Sequence, residues 1–364
     1  MYIYIITIVT VLGISLTSVD KRIDKNFEFF FTIIFWLLLT TIAGTRLVGY
    51  DLDIYKIHFN SVPDITQYTR TDVSIEIGYE LIVSIYKTFS DSFNGFLFLY
   101  AGLTLILAIT VSYKYSPYPL LSIGMFFAYS FFYQVMGQMR QPFAIFFLYI
   151  FLIPLIQKRK NIQSCIIILL ATFLFHKSCI LCLGILIFKD KIISPPKIIL
   201  FSGLTICTYI ISSSIIDIIL AIIPKSLFIY DALVAYTSTK AIQVGFTLGM
   251  LERIGMFGFL YYISYKYNLY QNNITLRVFI NAYFTGICIY FSFISVAAEF
   301  ATRGTFFYAY SLFFAAPILL KETTSKTQTF LYIIIMLWTI YIGTTLLKNQ
   351  EEEYIPYNST LFQS

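Results

Sequence analysis

Apolar residues fall along this chain in blocks roughly as long as a bilayer is thick, with polar and charged residues gathered between them. The blocks lie near residues 1–18, 27–49, 93–112, 119–137, 141–157, 162–175, 178–188, 198–223, 247–265, 277–297, 304–320 and 327–346. A helix needs about 20 apolar residues to cross the ~30 Å hydrocarbon core. In lipid each backbone N–H and C=O must find a partner within the protein, which leaves helices or closed barrels. The blocks are continuous and do not alternate with period two, so they predict helices. The expected fold is an all-α polytopic membrane protein with about 11–12 transmembrane helices. It is expected to form one transmembrane domain over 1–347 and a short outer tail over 348–364. The first block has no basic n-region and no small-residue cleavage site, so it reads as a span and not as a signal peptide.

Residues 162–188 form either one tilted helix or two short segments that break at Phe175-His176-Lys177-Ser178. Loop charge favours the break. With it, fourteen of the 25 Lys and Arg fall on one side, around Lys21, Lys114, Lys158, Lys189, Lys266 and Lys321. That side is then the cytoplasm. Both termini lie outside, and His176 and Lys177 sit at a membrane surface, where charge is less costly. Two outer segments are longer than a connection requires, 50–92 and 224–246. The first contains an apolar face of Ile77, Leu81, Ile82 and Ile85 that suits a helix lying in the interface. The second contains Tyr230, Asp231, Tyr236 and Lys240.

Composition narrows the function classes. Of 364 residues, 58% are hydrophobic and only 12% charged, and mean hydropathy is +0.78. A soluble domain carries about twice that charge fraction. The net charge of +6 comes from basic residues scattered between spans, so no nucleic-acid partner is expected. Cys165, Cys179, Cys182, Cys207 and Cys288 all lie in apolar runs, which argues against a disulfide framework. His176, Cys179 and Cys182 have a spacing that hints at metal ligation, but no fourth ligand is near. No metal and no cofactor is expected.

Ionisable residues in or beside spans are candidates for function. Those of interest gather at the predicted outer face: Arg46, Asp51, Asp53, Arg140, His176, Lys177, Glu252, Arg253, Glu299 and Arg303. Arginines at one membrane surface suit a lipid-linked phosphate or pyrophosphate, whose oxygens match the guanidinium fork. Each has a plainer reading. Arg46 at a span end snorkels equally well. Glu299 and Arg303 have the spacing of a helix salt bridge. Asp51 and Asp53 are more often solvated loop acids than a cation site, and His176 taken alone is more often a satisfied helix-end histidine. Arg140 is harder to set aside. It precedes Pro142, a residue suited to a helix's first turn, where unpaired N–H groups favour an anion.

At these residues the chain resembles the EpsG branch of the Wzy-type O-antigen and exopolysaccharide polymerases. Arg46-Leu-Val-Gly-Tyr-Asp51-Leu-Asp-Ile-Tyr55 looks like that family's Arg…Gly-x-Asp-x-x-x-Tyr pattern and is followed by Glu76-Ile-Gly-Tyr-Glu-Leu-Ile82. Met139-Arg140-Gln141 leads into an apolar span ending in Lys158-Arg159-Lys160. Phe175-His176-Lys177-Ser178 is similar to the family's Phe-His-x-Ser step. Glu299-x-x-x-Arg303 and Tyr354-Ile-Pro-Tyr357 complete the match.

The resemblance implies a glycosyltransferase working on undecaprenyl-pyrophosphate-linked oligosaccharide. It would move a glycan to a sugar hydroxyl of another lipid-linked repeat unit, at the periplasmic face of a bacterial inner membrane. It implies neighbours in the same pathway, a flippase and a chain-length regulator. Such a reaction needs cations for the departing pyrophosphate and a base for the acceptor proton. Arg140 and Arg303 are expected to hold the pyrophosphate, with Arg46 or Arg253 assisting and Tyr55 beside them. His176 is the first expectation for the base, since imidazole titrates near neutral pH. Asp51 is the second, and Glu299 completes the catalytic candidates. Two other functions are consistent with the sequence: a transporter or flippase of the lipid-linked glycan, and an O-antigen ligase of related architecture. Transport calls for charge deep between helices, whereas here the mid-bilayer stretches are nearly free of it.

Overall fold

A computed structural model describes residues 2–19, 24–72, 74–225, 230, 234, 247–349 and 351–362. Lys21 and Arg22, and most of segment 224–246 including Asp231, Tyr236 and Lys240, lie outside the described residues. The chain is an all-α polytopic membrane protein. Eight described helices are long and apolar enough to cross a bilayer, and three shorter apolar segments accompany them: Ile5–Leu16, Asn161–Leu174 and Lys177–Phe188. Among the described residues no strand forms beyond one isolated bridge, Arg46 to Ser359.

In chain order the helices are α1 (Tyr2–Val19), α2 (Lys25–Gly44), α3 (Leu52–Ser61), α4 (Ile77–Lys87), α5 (Phe93–Tyr115) and α6 (Pro119–Gly137). There follow α7 (Arg140–Gln157), α8 (Asn161–Leu174), α9 (Pro195–Ile222), α10 (Leu248–Lys266), α11 (Ile274–Phe293), α12 (Ala298–Glu322) and α13 (Ser325–Asn349). Their starts are chemically marked, because the first backbone N–H groups of a helix need acceptors. Asp24 accepts from Phe27 N at 2.8 Å, Ser92 from Gly95 N at 3.2 Å and Asn273 from Leu276 N at 3.0 Å. The break predicted within 162–188 is present. The N–H groups of Phe175 and His176 both turn back to Ala171 O, at 3.0 and 3.1 Å, and a 3₁₀ run Lys177–Gly184 follows.

The residues form two compact units. The first comprises 1–155, 162–180 and 316–364, the second 156–161 and 181–315. In the first, small residues and buried polar pairs join the helices, since lipid supplies no hydrophobic drive between them. Gly102 of α5 faces Thr40 and Trp36 of α2, and Trp36 Nε1 donates to Gly102 O at 3.1 Å. Ser15 of α1 meets Tyr332 OH of α13 at 3.0 Å. In the second unit Asn281 Nδ2 donates to Lys189 O and Lys191 O at 2.9 and 2.7 Å, while Arg277 Nε reaches Asp190 O at 2.6 Å.

Segment 50–92 holds two α-helices where the sequence suggested one. In α4 the face turned to protein is Tyr79, Glu80, Val83 and Ser84, all buried. Ile77 and Leu81 are half-buried and Ile85 is exposed, while half-buried Ile82 packs against the cluster around Tyr79 and Phe96, so only part of the predicted apolar face is left outward.

Candidate active site

Glu76 organises one end of the first unit. It is the N-cap of α4, yet its side chain makes no capping bond. The carboxylate turns instead to Arg140, whose Nη1 pairs with Oε2, and to Lys177, whose backbone N–H donates to Oε1 at 2.9 Å. Gly78 makes the approach feasible, because a Cβ there would run into Leu174 O at the end of α8. One turn on, Glu80 is fully buried and accepts from Thr71 N at 2.7 Å and Tyr68 OH at 3.2 Å, tying the stretch before α4 to that helix.

Arg140 is the first residue of α7, with Pro142 in the opening turn as predicted. Its side chain is 22% exposed against 4% for Glu76. The guanidinium lies 5.8 Å from the ring centroids of both Tyr55 and Tyr79, within cation–π range. Its Nε is buried with no hydrogen-bond partner among the described residues. Tyr55, on the first turn of α3, thus lies beside Arg140. Asp51 caps the same helix, half-buried, and its side chain makes no cap bond.

His176 stands in the break after α8. Its Nδ1 lies 2.7 Å from Ser178 Oγ and receives the Ser178 backbone N–H at 3.3 Å. Gln141 Nε2 donates to Ser178 Oγ at 2.9 Å. With the backbone N–H pointing at it, Nδ1 is an acceptor, and the Ser178 hydroxyl is placed to donate to it. The proton of the neutral ring therefore resides on Nε2. Behind Gln141, Gln134 Nε2 bonds Gln138 Oε1 and Gln141 Oε1 at 3.2 and 3.1 Å. Gln134 lies in the π-helical run Phe127–Gly137 of α6, an irregularity that recurs at functional sites.

Arg46 follows α2 and is 1% exposed. Nη1 donates to Ala43 O, while Nε and Nη2 are buried with no hydrogen-bond partner among the described residues. Burial pushes its pKa down to about 10, and the neighbouring Tyr354, Tyr55, Tyr357 and Tyr79 oppose that fall. The C-terminal segment covers it: Leu47 N donates to Asn358 O and Thr360 N to Thr45 O, both at 2.9 Å. Gly49 permits the turn between Arg46 and Asp51 with a φ of +134°, and a Cβ there would stand 2.7 Å from Met136 O.

The first unit thus brings together Arg46, Asp51, Tyr55, Arg140 and His176 from the sequence candidates. The other three, Arg253, Glu299 and Arg303, belong to the second unit. There Glu299 and Arg303 form the ion pair their spacing allows, and Arg253 stacks 4.2 Å from the Tyr290 ring centroid. Among the described residues no group of three or more His, Cys, Asp or Glu is arranged so that it could hold a metal ion. The sequence reading passed over Glu76 as a site residue, along with the glutamines and His58. The available signals were two carboxylates four apart in an apolar stretch and three glutamines at 134, 138 and 141, spaced four and three apart between two apolar blocks.

A family model, described as the EpsG family, matches residues 28–359. The chain belongs to the EpsG family. No curated protein and no solved structure matches it. The EpsG match begins within α2 and ends at Ser359, the bridge partner of Arg46. It therefore encloses every candidate named above in both units.

Proposed function

We propose that this EpsG-family protein is a polysaccharide polymerase, a glycosyltransferase at the periplasmic face of a bacterial cytoplasmic membrane. It moves a glycan from undecaprenyl pyrophosphate to a sugar hydroxyl of another lipid-linked repeat unit. Family membership supports a polysaccharide-polymerase role in general. The observation that supports the finer reading is the group in the first unit where Arg140 pairs with Glu76 beside Tyr55 and Tyr79, and where His176 adjoins Lys177, whose N–H binds the same carboxylate.

In the reaction the acceptor hydroxyl attacks the anomeric carbon, the bond from that carbon to the diphosphate oxygen breaks, and the diphosphate leaves with the electron pair. Arg140, oriented by Glu76, and Arg46 stabilise that charge, since buried guanidinium donors act most strongly where water is excluded. Tyr55 packs beneath Arg140 and borders the glycan. His176 Nε2–H donates a hydrogen bond to the leaving diphosphate. Its other nitrogen is held by Ser178, so the proton of the acceptor hydroxyl goes to Asp51. In the second unit Arg303, oriented by Glu299, and Arg253 serve as phosphate-binding cations.

The test is reconstitution of the purified chain with a lipid-linked repeat unit. A ladder of lengthening glycan is expected, and Arg140→Ala, fully expressed, abolishes it. Undiminished polymer length in both Arg140→Ala and Arg303→Ala refutes the pyrophosphate assignment. Movement of the lipid without growth indicates a transporter, and transfer of finished polymer to another acceptor a ligase.

A further inference from the structure

Arg46 is closed off by the part of the chain that reaches it last. Its Nε and Nη2 are buried with no hydrogen-bond partner among the described residues. Atoms that water cannot touch are equally out of reach of a phosphate oxygen. Unpaired donors on a buried cation are costly, and an anion is the partner that would satisfy them best. Around the guanidinium stand four tyrosines, Tyr354 and Tyr357 from the C-terminal segment, Tyr55 from α3 and Tyr79 from α4. The two halves of this cover are held differently. Tyr55 and Tyr79 belong to a buried cluster with Phe59, Phe96 and Tyr100, and shifting them would unpack it.

The C-terminal segment is held more lightly. Tyr354 anchors it, buried, with its ring 5.9 and 6.2 Å from those of Tyr50 and Phe132. Beyond that anchor Ile355 and Tyr357 are half-buried, Pro356 and Asn358 exposed, and Leu361 is 61% exposed. A short row of hydrogen bonds ties residues 355–360 down. Tyr357 OH donates to Ile42 O, Leu47 N to Asn358 O and Thr360 N to Thr45 O, each at 2.9 Å, and Thr45 Oγ1 lies 2.8 Å from Ser359 Oγ. Water can replace each of these bonds, so a segment with so little buried apolar surface opens at small cost. We propose that residues 355–360 form a gate over Arg46, which opens beyond Tyr354 to admit a diphosphate to Nε and Nη2. A ligand that binds only the open form draws the equilibrium toward it by its own affinity. The gate rests on the reading in which Arg46 serves a departing diphosphate, and adds how access to that arginine is controlled.

The experiment uses the full chain in maltoside micelles, which carry no phosphate. Phenylglyoxal, a dicarbonyl that condenses with guanidinium groups, is the probe, and the Arg46 peptide is read by mass spectrometry. Wild-type Arg46 should be modified, and inorganic pyrophosphate should slow the reaction. The double variant Thr45→Cys/Ser359→Cys puts two sulfurs where the hydroxyl oxygens lie 2.8 Å apart, so oxidation pins the gate shut and a reductant frees it. Oxidation should slow modification of Arg46 at least about tenfold, since the reagent reaches only the open fraction. Exposed Arg70 should react alike in both states. Pinned and free states are one protein before and after reduction, so misfolding cannot imitate the difference. Equal modification of Arg46 in the two states, or a wild-type Arg46 that never reacts, overturns the gate. Protection by added phosphatidylglycerol and not by pyrophosphate overturns the diphosphate as its occupant. Glycan growth on the same preparation separates the two readings. Growth that continues with the gate pinned overturns the gate alone, whereas a wild type that grows no glycan while Arg46 stays gated overturns the polymerase reading alone.

Discussion

At the scale of single residues, Glu76 separates structure from chemistry. A buried carboxylate is tolerable only while paired, and removing one partner of such a pair costs about 3–5 kcal/mol. Arg140→Ala is therefore expected to lower both stability and polymer yield, which alone would say little. The double variant Arg140→Ala/Glu76→Gln removes the stranded charge. It should recover most of the unfolding midpoint in detergent while remaining inactive. Recovery of activity along with stability would make Arg140 a scaffold residue and not a phosphate ligand. Ser178 poses a finer question. If it fixes the His176 tautomer, Ser178→Ala lowers kcat roughly 10- to 100-fold with little change in KM, the scale of losing a partner that orients a functional imidazole. Ser178→Thr, which keeps the hydroxyl, restores the rate. A loss confined to KM would place Ser178 in substrate binding instead.

His58 makes a prediction of stability against pH. It lies outside the spans, 5% exposed, with its ring 5.8 Å from that of Tyr79. Burial lowers its pKa from the ordinary 6.5, Arg140 adds to the fall, and Glu80 and Asp72 oppose it. Above 6.5 the ring is neutral in both folded and unfolded chains and has no effect. Below 6.5 the unfolded chain takes up a proton that the folded site resists, so stability falls as pH drops through the interval down to the folded pKa. The wild-type melting midpoint should fall from about pH 7.5 to about pH 5.5, and His58→Phe should flatten that slope. Parallel slopes for the two proteins would show that other groups carry the pH dependence.

Among the elements, those legible in the sequence were the ones whose signal is long. Apolar runs such as 93–112 and 327–346 appear as α5 and α13 with their ends moved by a few residues. The break at His176 was legible because loop charge depends on it. Helix α3 was not, since ten residues mixing Asp53, Lys56 and His58 with isolated apolar positions carry too little periodicity. Nor was the π-helical run of α6, because an apolar block reads alike whether its backbone bonds span four residues or five. The candidate site shows the same division. Arg46, Asp51, Arg140 and His176 were visible as charges out of place, whereas Glu76 and Gln141 gain meaning only from what folding brings to them. Gly49 allows a check at this scale. Its φ of +134° is strained for any residue with a Cβ, and Met136 O closes the space. Gly49→Ala should cost about 1–3 kcal/mol and misplace Asp51 relative to Arg46. A variant of unchanged stability and activity would show that the turn is not needed to present them.

For the whole molecule, the proposal requires that residues 140 and 303 open on the same side of the bilayer, and this reduces to parity. The start of α7 and the break at 176 share one side, because Glu76 binds both Arg140 and the Lys177 N–H. From 176 to 303 the chain passes through the segment Lys177–Phe188 and then α9, α10 and α11. If all four cross, the count is even. Lys177–Phe188 is the shortest of the four, with only twelve residues against the ~30 Å core. Eight of them are 3₁₀, which rises about 2.0 Å per residue instead of 1.5, and the reach comes to about 22 Å. Its far end also arrives beside the loop that precedes α8: Asp190 pairs with Arg159 at 2.9 Å and Lys189 Nζ reaches Asn161 at 2.7 Å. Residue 190 therefore shares a side with residues 159–161, and reporter fusions at 190 and at 176 should read opposite compartments. Fusions at 140, 176 and 303 should all read the outside. If 303 reads the cytoplasm, Arg303 cannot serve chemistry at the face that carries Arg140, and the reaction would have to be accomplished by the first unit's cluster alone.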